Sequence, residues 1–201
     1  MKQSTRPNKV NVLDERDVYR DFFRIVKAKL QFERFDGSMT SEVSRLNFVR
    51  GHSAAILLHD PLSDEFIFVE QFRYPAYTAD STDGWLLEII AGVVEEGESP
   101  REVARREALE ETGYKCRNVR LLHEFYPTPG GSSERISVFF GLAGKKAAAG
   151  GGLASENEDI RVVRRSVVQT YRDLERGRLR DGKTIVALLA VKAELTKRKN
   201  Q

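Results

Sequence analysis

The chain has 201 residues, of which 40% are hydrophobic and 31% charged, and its net charge is +3. This composition is ordinary for a soluble protein with one core and an appendage, and the small positive excess suits a phosphate-rich substrate without demanding nucleic acid. The single cysteine, Cys116, excludes an internal disulfide framework. The polar start resembles no signal peptide and the apolar runs are too short to span a membrane, so we expect a cytoplasmic protein without nucleic-acid or membrane partners.

The first quarter of the chain predicts a small β unit. Residues 1–18 have the composition of a polar arm. Residues 22–35 and 41–49 alternate in polarity on either side of an Asp-Gly pair, which is typical of a hairpin turn. We therefore predict an arm and an antiparallel β-hairpin over residues 1–49.

The remaining residues, 50–201, indicate a second domain that contains a sheet and several helices. Apolar runs bounded by turn signals predict strands at 52–60, 65–72, 85–90, 119–126 and 135–143. Helical spacing predicts helices at 100–112, 166–177 and 181–197. A glycine-rich and then acidic segment at 147–159 predicts a mobile loop. This order of elements predicts an α/β/α sandwich with a mixed sheet.

The helix predicted at 100–112 has clear signals at both ends. Ser99 is a good N-cap, Pro100 suits the first helical position, and Glu102 stands three residues after the cap. Gly113 fits the position just past the last turn.

Three carboxylates share one side of this helix. At 3.6 residues per turn, Glu107, Glu110 and Glu111 fall within a stripe about 100° wide. Like charges at such spacing repel by roughly 0.2–0.5 kcal/mol per pair, and a hard divalent cation such as Mg²⁺ relieves that repulsion. The alternative is a solvated acidic face, on which Arg106 is a simple surface partner of Glu110.

The spacing around this helix resembles the Nudix box, G-x5-E-x7-R-E-u-x-E-E-x-G-u, in which u is a bulky aliphatic residue. The matching segment is GVVEEGESPREVARREALEETGY, from Gly92 to Tyr114, with loose matches at Ala108 and Tyr114. The resemblance implies the Nudix fold and a requirement for Mg²⁺, with Mn²⁺ as a substitute. The metal ligands it implies are oxygen atoms, from the backbone carbonyl of Ala91 and the carboxylates of Glu107, Glu110 and Glu111. It also implies that Arg106 orients these glutamates and that Glu98 supports the box or a metal-bound water.

Segments outside the box resemble the ADP-ribose and nucleoside-diphosphate-sugar pyrophosphatase branch of that family. They are VEQFRYP (69–75), TPGGSSER (128–135) and ENEDI (156–160), together with the N-terminal hairpin. The substrate-binding positions implied are Arg73, Glu88, Gly92, Glu98, Gly130 and Gly131. Two alternatives stay open at this point. Arg73 could be a surface charge at a strand end, and the two glycines after Pro129 could simply form a tight turn.

The acidic loop supplies the last candidate residues. Glu156 matches the candidate general base of the family, and Glu158 matches an additional metal ligand, both reaching the site only when the loop closes. The alternative is that these charges only keep the loop soluble. Catalysis is then assigned to Glu156 together with Glu111 and Arg106.

The resemblance implies metal-dependent hydrolysis of the diphosphate bond of ADP-ribose or a related nucleoside diphosphate sugar. The products are a nucleoside monophosphate and a sugar phosphate, and the enzyme is a homodimer whose N-terminal strands cross to the other subunit. Ile90 stands where the branch commonly has proline, a departure from the strict ADP-ribose enzymes. The AGGG…EDI segment and the run GRLRDGKT (177–184) resemble the GDP-mannose-hydrolysing enzymes, so GDP-mannose is an alternative substrate. A non-catalytic nucleotide-sugar sensor is the competing class, and RNA decapping is disfavoured because no basic-aromatic tract is evident.

Overall fold

The computed structural model describes residues 6–80, 83–152 and 159–199. The chain divides into two compact units. The first comprises Met1–Gly51 with Thr128–Glu134, and the second His52–Pro127 with Arg135–Gln201. None of the helices in the described ranges is both long and apolar enough to cross a membrane.

The first unit contains a three-stranded antiparallel sheet in the order β1-β2-β3, formed by Val10–Arg20, Arg24–Phe32 and Val43–Val49. The predicted hairpin is therefore confirmed as β2 and β3. The predicted polar arm is wrong from Val10 onward, since those residues form β1. Every residue of β1 is exposed, so the strand lacks the buried face that creates a period-two pattern. Backbone pairing with β2 decides its conformation instead.

The second unit contains a mixed sheet with helices on both of its faces. Its strands are β4 (His52–Asp60), β5 (Glu65–Phe72), β6 (Trp85–Glu88), β7 (Ile90–Val94), β8 (Tyr114–Phe125), β9 (Ile136–Lys146) and β10 (Arg161–Ser166). Its helices are α1 (Tyr74–Asp80), α2 (Pro100–Thr112), α3 (Val167–Glu175) and α4 (Gly182–Lys199). The strand order is β10-β5-β4-β9-β8, with β6 on β5 and β7 on β4, and only the β4–β9 pairing is parallel among these described strands.

The central strand β4 separates two hydrophobic cores. Ala54, Ile56 and Leu58 pack in one core with Val103, Ala104 and Ala108 of α2. The alternate residues Ala55 and Leu57 pack in the other core with Ala187, Leu188 and Val191 of α4. Because successive side chains of a strand point to opposite faces, one apolar run serves both helical layers. This layering confirms the predicted α/β/α sandwich.

Three elements of the second unit were not predicted, namely β7, which begins where the strand predicted at 85–90 ends, helix α1 and strand β10. Helix α1 has only seven residues, and neither an acidic residue in its first turn nor a basic one in its last marks its ends. Strand β10, RVVRRS, is an edge strand in which three of six residues are arginine, so its composition resembles a polar loop. Pairing with β5 from Arg161 to Ser166 makes it a strand.

Candidate active site

Helix α2 begins and ends where the sequence predicts. The Ser99 side chain accepts a hydrogen bond from the Glu102 backbone N–H, and the Glu102 carboxylate accepts one from the Ser99 backbone N–H. The Ser99 hydroxyl and the Ser99 backbone N–H both donate to the Glu102 carboxylate, and these two bonds lower the pKa of Glu102. At the other end Gly113 has a φ of 77°, the left-handed conformation that favours glycine, and its N–H donates to Leu109. The helix that carries the box glutamates is therefore fixed by capping at both termini.

The box glycine makes room for a box glutamate. Gly92 lies in β7, and a Cβ atom built on it would be 1.8 Å from Oε1 of Glu107. Ala104 and Ala108 are fully buried, which lets α2 lie close to the sheet. The Glu107 carboxylate therefore contacts the β7 backbone beside Ala91, where any larger residue at position 92 would exclude it.

Arg106 joins three glutamates of the box. Its Nη1 donates to Oε1 of Glu107 at 2.8 Å and to Oε2 of Glu110 at 3.1 Å. Its Nε and Nη2 donate to the two oxygens of Glu98 at 3.2 and 3.3 Å. Partial burial works against the charged form, but the bond to Glu98 and the charges of Glu107 and Glu110 outweigh it and raise the pKa of Arg106. Arg106 is thus a partner of Glu110 and also holds two further box carboxylates in place.

Glu111 lies on the inner side of the same stripe. Its residue exposure is 2%, against 13% and 28% for the side chains of Glu107 and Glu110. Its negative charge acts on Arg73, so the stripe and Arg73 belong to one electrostatic neighbourhood. The structure therefore brings together the box carboxylates and the arginine predicted to bind substrate.

The start of the predicted loop is attached to the end of α2. The N–H of Gly151 donates to the carbonyl of Glu111 at 2.8 Å, and the N–H of Ala147 donates to Gly113 at 2.8 Å. A Cβ on Gly150 would lie 2.6 Å from the Thr112 backbone, so glycine is required there by close approach. The candidate residues Glu156 and Glu158 follow this anchor and lie outside the described residues.

A second charged cluster adjoins the box, and the sequence did not reveal it. Nε and Nη2 of Arg73 donate to Oε1 and Oε2 of Glu88, both at 2.9 Å. Nζ of Lys183 donates to Oε2 of Glu88 at 2.5 Å and to Oδ1 of Asp181 at 2.9 Å. Both oxygens of Glu88, a predicted substrate-binding residue, therefore contact cations of the protein. We call these four residues the Glu88 cluster.

Burial would raise the pKa of Glu88, whose exposure is 2%, but its two cationic partners, Arg73 and Lys183, lower it below the ordinary value. Burial likewise works against the charge of Arg73, and the carboxylates of Glu88, Glu111 and Asp181 raise its pKa instead. The Arg73 side chain remains 42% exposed. The charged guanidinium of Arg73 is thus exposed at the surface, and its contacts with the buried Glu88 carboxylate fix its orientation.

The predicted glycines Gly130 and Gly131 belong to the first unit. The N–H of Gly131 donates to Thr128 at 3.1 Å, and its carbonyl accepts from Phe48 at 2.8 Å. A Cβ on either glycine would meet no described atom within 4 Å. The segment is therefore a hydrogen-bonded turn, and close protein packing does not account for its glycines.

The donor set of the box fits a hard divalent cation. Within the described part of the chain, no three His, Cys, Asp or Glu side chains are gathered as in a closed metal centre. Mg²⁺ does not require one, since it is usually held by one or two carboxylates together with substrate phosphates and water. The carboxylates on the stripe supply oxygen donors of that kind. Because Gly92 has no side chain, the Glu107 carboxylate can lie beside β7.

The family model of the NUDIX domain matches residues 49–187. The chain is 42% identical over 182 residues to the ADP-ribose pyrophosphatase of Escherichia coli, covering 90% of this chain and 87% of that protein. It is 36% identical over 182 residues to the ADP-ribose pyrophosphatase of Haemophilus influenzae, with coverage of 89% and 84%. The chain therefore belongs to the NUDIX family.

Two further similarities concern the substrate and the fold. The GDP-mannose pyrophosphatase of Yersinia enterocolitica is 37% identical to this chain over 161 residues, covering 80% of the chain and 84% of that protein. A solved structure described as that of an ADP compounds hydrolase superposes with a TM-score of 0.72 at 21% identity, covering 97% and 98% of the two chains. The latter similarity establishes the shared fold.

Proposed function

We propose that the chain is a pyrophosphatase that hydrolyses the diphosphate bond of ADP-ribose or a related nucleoside diphosphate sugar. The products are a nucleoside monophosphate and a sugar phosphate. The observation that carries the proposal is the complete set of box carboxylates, three of which are held by Arg106, with the half-exposed Arg73 in the same electrostatic neighbourhood. Relatives named ADP-ribose pyrophosphatase, at 42% identity, support this choice of substrate.

The proposed metal is Mg²⁺, with Mn²⁺ as a substitute. The residues that would hold it share oxygen donors and are the backbone carbonyl of Ala91 and the carboxylates of Glu107, Glu110 and Glu111. When bound, the cation offsets the negative charge of the diphosphate and makes the attacking water more acidic.

The remaining roles fall to side chains of the protein. Arg106 donates to Glu107 and Glu110, and its positive charge offsets the repulsion between these two carboxylates. Arg73 binds the diphosphate, for which a guanidinium provides planar paired donors. Glu156 takes the proton of the attacking water, and Glu158 adds a metal ligand. Glu98 supports Arg106, and the turn at Gly130 and Gly131 contacts the substrate through its backbone.

A preference for GDP-mannose is the second candidate. It is supported by the relatives named GDP-mannose pyrophosphatase, at 32–37% identity, and by the DGKT segment at the start of α4. A non-catalytic nucleotide-sugar sensor is the alternative of a different class. The complete set of box glutamates argues against it, since a sensor has no need to keep them all.

We also propose that the enzyme is a cytoplasmic homodimer joined through the domain formed by residues 1–49, with residues 50–201 as the catalytic domain. Strand β1 is an exposed sheet edge that carries Val10, Val12 and Leu13 at 52–58% exposure. Exposed edges and apolar patches of this kind are usually covered by another chain. A second copy of this unit is the proposed cover.

The experiment is a substrate panel. Purified protein is incubated with ADP-ribose, GDP-mannose, UDP-glucose and ATP, with Mg²⁺ or with chelator, and products are separated by chromatography. Cleavage of a diphosphate sugar only with Mg²⁺ supports the proposal. Preferred cleavage of ATP contradicts it, and tight binding of a sugar nucleotide without cleavage identifies a sensor.

A further inference from the structure

The Glu88 cluster joins two parts of the chain that lie far apart in sequence. Lys183 and Glu88 are separated by 95 residues, and their side chains are 12% and 2% exposed. The charges alternate along the cluster, from Arg73 to Glu88 to Lys183 to Asp181. Only Arg73, at 42%, is substantially exposed. The cluster therefore runs from the start of α4 to a guanidinium at the surface.

The start of α4 holds Lys183 in place relative to Glu88. Oδ2 of Asp181 accepts hydrogen bonds from the backbone N–H and the hydroxyl of Thr184, at 3.0 and 2.6 Å. The Thr184 hydroxyl oxygen in turn accepts from the backbone N–H of Ile89 at 2.8 Å, and Thr184 is fully buried. These bonds attach the first turn of the helix to the residue that follows Glu88. The backbone of Lys183 is thereby held near Glu88, and the contacts of its ammonium group with Glu88 and Asp181 place Nζ beside the carboxylate.

Two cations share the one buried carboxylate of Glu88. Arg73 binds both oxygens in the paired geometry that fixes the plane of a guanidinium, using one N–H of Nε and one of Nη2. Lys183 binds Oε2, the oxygen that also accepts from Nη2 of Arg73. Without Lys183, the negative charge of Glu88 would act on Arg73 alone. The positive charge of Arg73 would then be neutralised by Glu88 and would attract an anionic ligand less strongly.

We propose that Lys183 is a positioning residue for diphosphate binding, which acts by sharing Glu88 with Arg73. It holds the carboxylate in the geometry that orients Arg73, and it keeps positive charge available for a substrate diphosphate. This inference rests on the proposed function, in which Arg73 contacts the diphosphate. It assigns a role to a residue of α4 that lies behind the arginine and outside the Nudix box.

A purely structural ion pair is the competing explanation. Removing one partner of a buried pair destabilises a fold in any case, because a charge is left without compensation. A structural role predicts a lower melting temperature with unchanged ligand affinity in the folded protein. A positioning role predicts weaker binding of a diphosphate by protein that is still folded.

The test measures the dissociation constant of the non-hydrolysable α,β-methylene analogue of ADP-ribose by calorimetry with Mg²⁺, together with KM and kcat on ADP-ribose. Lys183→Met should raise Kd and KM about tenfold, the size of coupling seen between residues of one network, and change kcat less. Lys183→Arg, which keeps the charge, should recover most of the affinity. The matched control is Lys192→Met, which removes an exposed lysine of the same helix that pairs with Glu175 and should leave Kd unchanged.

A double-mutant cycle identifies the route of the effect. In an Arg73→Gln background, Lys183→Met should cause no further loss of affinity, because the residue through which it acts is gone. An equal loss in both backgrounds would overturn the proposal. If Lys183→Met does not fold, Lys183→Gln takes its place, and folded protein with wild-type Kd also overturns the proposal. A wild-type chain that neither binds nor cleaves a diphosphate sugar shows instead that the proposed function itself has failed.

Discussion

Gly92 of β7 and Glu107 of α2 approach so closely that a Cβ on the glycine would lie 1.8 Å from Oε1 of the glutamate. The absence of a side chain at Gly92 therefore determines the position of Glu107, a candidate metal ligand. We expect Gly92→Ala to displace the Glu107 carboxylate and lower kcat by on the order of 10²-fold, because small misplacements at a reaction centre are this costly. The cost in stability should be small, because the atoms displaced are the far end of one flexible side chain.

The measurement compares melting temperature and steady-state kinetics of Gly92→Ala with those of Gly182→Ala. A Cβ on Gly182, the first residue of α4, meets nothing within 4 Å among described atoms, so that variant should behave as wild type. Normal turnover by Gly92→Ala would show that the close approach does not serve the site.

The two inner glutamates of the stripe should be needed for turnover more than for folding. Glu107→Gln and Glu111→Gln each remove a charge proposed to hold Mg²⁺, so kcat should fall by at least about 10²-fold. Without metal, Glu111→Gln should melt at the same or a higher temperature, because it removes a like charge from a buried stripe. Kinetics and thermal melts in chelator check both, with the exposed Glu175→Gln as control. A large loss of apo stability in Glu111→Gln would mean that this carboxylate is structural.

The Glu88 cluster should contribute stability that depends on pH. The pKa of Glu88 is lower in the folded chain than its ordinary value of 4.5, because Arg73 and Lys183 outweigh the effect of burial. A carboxyl whose pKa is lower in the folded chain stabilises the fold at every pH above the pKa it has in the unfolded chain. This contribution is lost as pH falls through the pKa of the folded chain. Glu88→Gln should therefore melt below wild type at pH 7, and the gap should narrow below about pH 4.5. A gap that stays constant with pH would contradict this assignment.

The general base is proposed to be Glu156, beyond the anchor that Gly151 makes on the carbonyl of Glu111. Glu156→Gln should lower kcat by on the order of 10²–10⁴, the usual contribution of a general base, with little change in substrate or Mg²⁺ affinity. Glu158→Gln should raise the Mg²⁺ concentration needed for half-maximal rate. If only Glu158→Gln abolishes turnover, the two roles are reversed; if neither changes it, the base lies elsewhere, with Glu110 and Glu98 the nearest candidates.

The dimer should be visible in solution. Light scattering should give twice the 22.8 kDa mass of the chain. Val12→Lys places a charge on the exposed edge strand β1 and should shift the mass toward the monomer at low micromolar concentration without lowering the melting temperature of the second unit. Leu62→Lys, at a residue 97% exposed outside the first unit, is the control. A fully active monomer would refute the arrangement.

Helix α2 and its carboxylate stripe could be predicted from neighbouring residues alone. The capping box at Ser99, the αL glycine at 113 and the 3.6-residue spacing of the glutamates each act within one or two turns, so they are legible from neighbouring residues. The apolar run of β4 similarly indicated a strand, and its burial on both faces became visible only in the structure. The helix, its stripe and the strand depend on interactions between residues close in sequence, so the pattern of neighbouring residues is enough to predict them.

Features that depend on residues distant in the chain could not be predicted and became visible only in the folded chain. Strand β1 has no buried face and exists through pairing with β2, and β10 is a basic segment that becomes a strand on β5. The cationic partners of Glu88 are the clearest example of a feature that neighbouring residues do not predict. Which cation balances a buried carboxylate depends on which group the fold brings within hydrogen-bonding distance, and a separation of 95 residues leaves no local trace of Lys183 in the sequence around Glu88.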